Sequence, residues 1–263
     1  NSLVSIAEKR GCEFRYDSHV DEVLVSNGKA VGVMLADGQK LFAETIIMNG
    51  DCNALASGFL GNETRRAAVG TPPLSRSLSA LTWMIEGEAT GFPLVRHNVF
   101  FSDNYRAEFT DLIEKQRLPR EPTVYICAQD RTDNSDLVGR ERMLIIVNAP
   151  ANGGSETFDH KQYAVCEEAM HKVLSTCGLH INRNGSHIER ANPHDFSFMF
   201  PATHGALYGR ASHGWQASLA RPGCRSKLRR LYLAGGSVHP GAGVPMAGLS
   251  GIMAAECAIK DIN

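Results

Sequence analysis

The sequence predicts a mixed α/β (α+β) fold, with an α/β portion divided between the two ends of the chain and an antiparallel sheet-and-helix portion inserted between them. Three observations carry this. Near the C-terminus, residues 231–252 (LYLAGGSVHPGAGVPMAGLSGI) run from a short apolar stretch through a glycine turn into an Ala-, Gly- and Ser-rich stretch opened by Pro245. That is the pattern strand, turn, helix, with proline near the first helical position, where its missing N–H does no harm. Near the N-terminus, Asn27-Gly28 separates two alternating segments and marks a hairpin; residues 44–48 (ETIIM) then form an apolar strand that ends at the polar tip Asn49-Gly50-Asp51. In the middle, residues 77–86, 95–101, 123–128 and 142–148 read as strands of an antiparallel sheet.

Taken in order, residues 2–10 predict a helix closed by Gly11. Residues 13–16 and 20–25 alternate as strands, residues 29–35 return after the hairpin turn, and Asp37-Gly38 makes a second turn. The strand at 44–48 then crosses back onto a larger sheet. Residues 103–116 and 157–176 read as helices, the second carrying Tyr163, Val165, Cys166, Ala169, Met170, Val173 and Leu174 near one face. From 196 to 215 the chain is irregular and aromatic among glycines, and Arg221-Pro222-Gly223 leads into the final strand and helix. The resulting partition places residues 1–73 and 201–263 in one domain and 74–200 in another, a cofactor domain beside a substrate domain with the site between them.

Composition narrows the function classes. Over 263 residues, Lys+Arg 27 against Asp+Glu 28 gives a formal net charge of -1, so there is no general basic field and nucleic acid is not an expected partner. No apolar run approaches the roughly 20 residues that span a bilayer. Residues 244–259 come nearest, but contain Glu256 and many small residues, and read as a buried helix. Seven cysteines (Cys12, Cys52, Cys127, Cys166, Cys177, Cys224, Cys257) show no C-x-x-C pair, which predicts free thiols in a reducing, cytoplasmic setting. No signal peptide is visible. The chain opens on Asn1 inside an amphipathic helix and is expected to be the later part of something longer. His180, His187 and His194 recur at seven-residue spacing, but Asn182, Asn184, Gly185 and Pro193 break any common helical face, so no metal is expected. Ser212-His213 and Ser237/His239 lack a G-x-S-x-G elbow and do not support acyl transfer.

The glycine turn is the chief candidate site. A turn that feeds a helix N-terminus exposes unpaired N–H groups at the positive end of the helix dipole, which suits a phosphate or a ring that gains negative charge. The same glycines also serve close helix–sheet packing. His239 reads either as a proton acceptor or as a ring that fixes the turn beside Pro240, and Ser237 as a ligand contact or a loop cap. Asp51 either turns the chain near a cofactor or caps a helix starting at Asn53. Phe198, Phe200, Tyr208 and Trp215 fit the lining of a tunnel for a long apolar ligand, and fit plain core equally. Arg210 and Arg221 read as contacts to flavin or phosphate oxygens, or as solvated surface.

The run Gly235-Gly236-Ser237-Val238-His239-Pro240-Gly241-Ala242-Gly243-Val244-Pro245 resembles the C-terminal signature of the carotenoid (phytoene) desaturases, FAD-dependent oxidoreductases of the amine-oxidase-like flavoprotein superfamily. Phe200-Pro201-Ala202-Thr203, Gly205-Ala206-Leu207-Tyr208-Gly209, Trp215 and Ala220-Arg221-Pro222-Gly223 are similar to the branch that desaturates hydroxylated or methoxylated acyclic carotenoids. Asn49-Gly50-Asp51 resembles that family's Asn-Ala-Asp tripeptide with glycine in place of alanine. The resemblance implies dehydrogenation of a hydrophobic polyene by hydride transfer to flavin, and peripheral membrane contact, since such substrates dissolve in membranes. It implies FAD contacts from Val20 (through its backbone), Asn49, Asp51, Gly235, Gly236, Ser237, Gly241, Gly243, Val244, Pro245 and Met246, with His239 as the catalytic candidate.

One departure matters. The family opens with a strand–GxGxxG–helix unit that grips the FAD pyrophosphate and ribose, and none is found here; Gly241-x-Gly243 is followed by Pro245 and Met246, which is the wrong spacing. The chain therefore resembles the C-terminal half of a desaturase, with an incomplete FAD-binding domain, and is expected to be inactive alone. Rival readings are another flavin oxidoreductase on the same frame, such as an amine oxidase or a retinol saturase relative, and an inert chain that binds an apolar ligand or a partner through an open sheet edge.

Overall fold

The computed structural model describes residues 2–132, 139–154, 158–211 and 221–262. A short helix α1 (Ser2–Glu8) precedes a three-stranded antiparallel sheet in the order β1 (Val20–Ser26), β2 (Lys29–Leu35), β3 (Lys40–Phe42). Asn27 and Gly28 both adopt positive φ (49° and 71°), the conformation a tight two-residue hairpin demands. Residues 13–16, expected to be a strand, are not one: they are exposed, and Asp17 turns the chain with φ 52° before β1 begins.

β4 (Ile46–Met48) does not join the hairpin sheet. It pairs in parallel with β10 (Leu231–Leu233), so the two ends of the chain meet strand to strand. Among the described residues this pair stands alone, not on the larger sheet expected from the sequence. Leu231 and Leu233 are buried with Val23, Ala30, Leu55, Leu228 and Val238, a cluster that unites the hairpin, the short helix α2 (Cys52–Ala56) and the C-terminal segment.

The middle of the chain forms a five-stranded antiparallel sheet, ordered β6 (His97–Phe100), β7 (Val124–Ala128), β8 (Arg140–Ala149), β5 (Ser79–Thr90), β9 (His180–Ala191). Alternate residues turn one face inward: Leu81, Trp83 and Ile85 on β5; Val124, Ile126 and Ala128 on β7; Met143, Ile145 and Val147 on β8. That face is covered by Cys166, Met170 and Leu174 of α4 (His160–Thr176). Each such side chain removed from water is worth roughly 1.5–3 kcal/mol, which makes this the chain's main stabilising cluster. Between β6 and β7 lies α3 (Tyr105–Phe109), prolonged by a π-turn through Glu114. α5 (Pro193–Met199) follows β9 and is opened by Asn192 and Asp195, which bond each other's backbone N–H groups.

β9 was not foreseen, because its sequence is polar and only partly buried and contains Asn182, Asn184 and Gly185. It forms because β5 runs on past Glu86 through Gly87 to Thr90 and offers a long edge, with a register shift where Gly87 and the β9 backbone approach closely. His180 and His187 lie on β9 and His194 on α5, and among the described residues no group of three or more metal-ligating side chains gathers. The last helix, α6 (Val244–Ile262), buries a single stripe, Ser250, Ala254 and Ala258. It was expected to be buried, but Leu249, Ile252 and Ile259 are exposed. No described helix is long and apolar enough to cross a membrane.

Candidate functional site

Because β4 and β10 are parallel, their C-terminal ends lie side by side, and each is followed by a polar or glycine-rich turn. A crevice outside the carboxyl ends of parallel strands is where α/β folds place ligands. The backbone locks the two turns together: Ala234 N–H donates to Met48 O at 2.9 Å. Gly235 has φ 110°, and a Cβ there would lie 2.8 Å from Asn49 Oδ1, so only glycine lets the two tips approach so closely. Asp51 caps α2, accepting from Asn53 N–H at 2.8 Å. Its carboxylate also bonds the Ser237 hydroxyl and faces the charges of Arg76 and Arg221. Burial outweighs these partners and raises the Asp51 pKa. The same Ser237 Oγ lies 3.9 Å from Cys52 Sγ. Burial, then the neighbouring Asp51 charge, pushes the Cys52 thiol up to about 11. Of the expected residues, then, Asn49, Asp51, Gly235, Gly236 and Ser237 are brought together.

The second half of the turn faces open space. A Cβ on Gly243 (φ 105°) would meet nothing within 4 Å, and one on Gly236 only Ala242 Cα at 3.7 Å. The first intrahelical bond of α6 is Ala247 N–H to Gly243 O at 2.8 Å, so the amides of Val244 and Met246 precede it, and Pro245 has none. Val244 is 89% exposed and Met246 44%, so no side chain of the described residues plugs the turn. Bare backbone, free helix-start amides and a polar strand tip fit a flat ring that carries negative charge on its edge.

Arg221 was weighed as solvated surface, and it is not. It is 8% exposed, donating from Nη1 to Gly236 O at 2.8 Å and from Nη2 to Arg210 O at 2.9 Å, with its pKa lowered by burial. It ties the segment before β10 to the glycine turn. With Ser77, Tyr208, Arg210, Pro240, Gly241 and Ala242 it lines an open cleft of about 400 Å³ beside the turn. Two residues of this site escaped sequence reasoning. Arg76 carried no signal; it stands near Asp51 at the edge of the inserted sheet, where its backbone pairs with Arg210. Ser250 is fully buried, accepts from Gly235 N–H at 2.8 Å and donates to Ala247 O at 2.6 Å. A serine in register with Ala254 and Ala258 was the signal available.

The remaining expectations are placed as follows. The His239 N–H donates to Pro222 O at 2.8 Å, and among the described residues no acid or hydroxyl bonds its half-buried ring. Val20 starts β1 opposite Leu35, in the hairpin sheet, and is not drawn to the turn. Phe198 is 83% exposed, and Phe200 and Tyr208 are exposed too, so these three are not core; Trp215 lies outside the described residues.

A glycine turn between parallel strand tips and a helix start, backed by an inserted antiparallel sheet, defines a flavoprotein-like oxidoreductase frame. The chain belongs to the flavin containing amine oxidoreductase family, which it matches over residues 1–259. It is 49% identical over 262 residues to hydroxyneurosporene desaturase of Rubrivivax gelatinosus, covering 98% of this chain and 50% of that protein. It is 30% identical to the 1-hydroxycarotenoid 3,4-desaturase of a Flavobacterium species, covering 97% of this chain and 52% of that one. Among solved structures, an oxidoreductase from Methanosarcina mazei shares the fold, with TM-score 0.53, 17% identity, and coverage of 97% of this chain and 52% of its own. The chain thus spans about half the length of the curated relatives it matches.

Proposed function

We propose that this chain forms the part of an FAD-dependent desaturase that holds the reactive end of the flavin and the polyene, acting on a hydroxylated acyclic carotenoid. Membership of a flavin-containing family and relatives named as carotenoid desaturases support the chemistry. The observation that carries the reading is the meeting of the Asn49–Asp51 tip, the Gly235–Gly236 turn and the open start of α6 at the ends of two parallel strands.

When bound, a flavin would supply the hydride acceptor for reacting carbons that themselves carry no polar group. The chain's own residues do the rest. The α6 amides of Val244 and Met246 and the helix dipole would stabilise negative charge on a bound flavin. Asn49, Gly236 and Ser237 fix the ring's position, with Arg221 and Ser250 holding the turn itself in place. No acid or base role is assigned to His239 beyond shaping the turn, because among the described residues no acid or hydroxyl bonds its ring. Tyr208, Phe198 and Phe200 present apolar surface to the polyene, and the cleft beside Tyr208 and Arg210 supplies polar atoms for a substrate hydroxyl. Residues 1–73 and 201–263 are assigned to the flavin side and 74–200 to the substrate side; Val20 is assigned a backbone role only.

The test is to co-express the chain with the polypeptide that supplies the other half of a relative's length, and to measure flavin content and turnover of hydroxylated polyenes and of amines. Bound flavin and a red-shifted polyene product are expected. Gly235→Val should cut flavin content at least about tenfold, since its side chain collides with Asn49 at a backbone angle that only glycine adopts freely. A colourless product, or amines oxidised in preference to polyenes, would refute the assignment.

A further inference from the structure

Seven cysteines are scattered along the sequence without paired spacing, yet the fold brings two together. Cys224 lies on the segment alongside β10, where its carbonyl accepts from Leu233 N–H at 2.8 Å. Cys257 lies in the later turns of α6, and the two Sγ atoms are 3.2 Å apart across 33 residues of sequence. Both belong to the packed cluster formed by Tyr232, Ala234, Ala254 and Ala258. One helical turn on, Asp261 accepts from the Tyr232 hydroxyl at 2.6 Å and pairs with Arg225. The contact is therefore clamped on both sides, with the thiols already facing each other. The other five thiols differ: Cys12 and Cys177 are exposed, Cys127 is half-buried, Cys52 and Cys166 are buried, and none of them bonds another sulfur among the described residues.

We propose that Cys224 and Cys257 form a reversible disulfide that staples α6 to the β10 segment. A disulfide needs an S–S distance of about 2.05 Å, so the sulfurs must close by roughly 1.2 Å, within reach of small side-chain rotations. With glutathione disulfide as oxidant, the more accessible Cys257 thiolate attacks one of its sulfurs and expels a glutathione thiolate, leaving a mixed disulfide. The Cys224 thiolate then displaces the second glutathione and forms the Cys224–Cys257 bond. Two protein thiols are oxidised, one glutathione disulfide is reduced to two thiols, and the two thiol protons pass to the released glutathiones. The second step is intramolecular, which offsets the low thiolate fraction of a buried Cys224.

The chain is incubated with glutathione disulfide, free thiols are trapped with iodoacetamide, and the digest is mapped by mass spectrometry. The expected product is a cross-linked pair of peptides holding Cys224 and Cys257, two hydrogens lighter, and restored by dithiothreitol. The thermal midpoint should rise by roughly 5 °C on oxidation, through constraint of the unfolded chain. Cys257→Ser should abolish both effects. Recovery of Cys224 and Cys257 as alkylated or separately glutathionylated residues, under conditions that modify Cys12 and Cys177, would overturn the proposal. So would a cross-link that leaves the midpoint unmoved. The map is read on the unsubstituted chain, so it holds even if a variant misfolds.

Discussion

Ser250 has no solvent exposure, and its hydroxyl oxygen is the partner of the Gly235 amide at the tip of β10. Ser250→Ala removes that acceptor and leaves a buried N–H unpaired, a loss of about 1–3 kcal/mol. A denaturation midpoint should show it, and under the proposed function flavin content of the co-expressed complex should fall with it. The Cys52 thiol gives a second reading of local electrostatics. The fold favours its neutral form, so this contribution to stability is intact below about 9 and is lost as pH rises through about 11. Thiolate absorbance should appear at Cys52 only near that upper value, and Asp51→Asn should move it down by removing the adjacent charge. An unchanged titration in that variant would mean Asp51 does not act on Cys52. At this scale the sequence told half the story. Glycines at 235 and 236 and the tip at 49–51 were legible because their residue types admit few uses. Arg76 and Ser250 were not, and Arg221 was left between a ligand contact and solvated surface, because a lone arginine or serine acquires meaning only from the carbonyl or amide that the fold brings to it.

Elements were legible where a single period held over several residues. The hairpin β1–β2, the strands β7 and β8 and the body of α4 follow their sequence patterns because each buries one face. β9 departed from this, since pairing with the long edge of β5 overrides a polar, glycine-containing sequence. Residues 13–16 erred the other way, having alternation without a strand to pair with. The start of α4 shows how an end is fixed. Asp159 accepts from Gln162 N–H at 2.8 Å, while the Gln162 side chain returns to the Asp159 amide at 2.9 Å. Asp159→Ala should cost about 1 kcal/mol, measured by denaturant unfolding, since both bonds depend on that residue. Because α4 covers the inserted sheet, the loss should register in global unfolding rather than in local fraying; a change confined to exchange of the first-turn amides would contradict this.

The molecule as a whole has one feature that no single element explains. α6 buries only a stripe of small residues against β10, and its outward face carries Leu249, Ile252 and Ile259, interrupted by Glu256. Ile252 and Ile259 are 57% and 60% exposed. Isolated apolar residues on a surface mean little, but a helix that shows large side chains outward and small ones inward is built to be covered on both sides. The relatives are about twice as long as this chain, and the rest of their length is the candidate cover to be tested. The apolar face also begins at the open start of α6, beside the glycine turn. Paired substitution Ile252→Gln and Ile259→Gln should leave the chain's own stability within about 0.5 kcal/mol, because neither side chain is in its core. The same pair should abolish co-purification with the complementing half, and flavin retention with it. Unimpaired association would show that the outward face of α6 is not the joint.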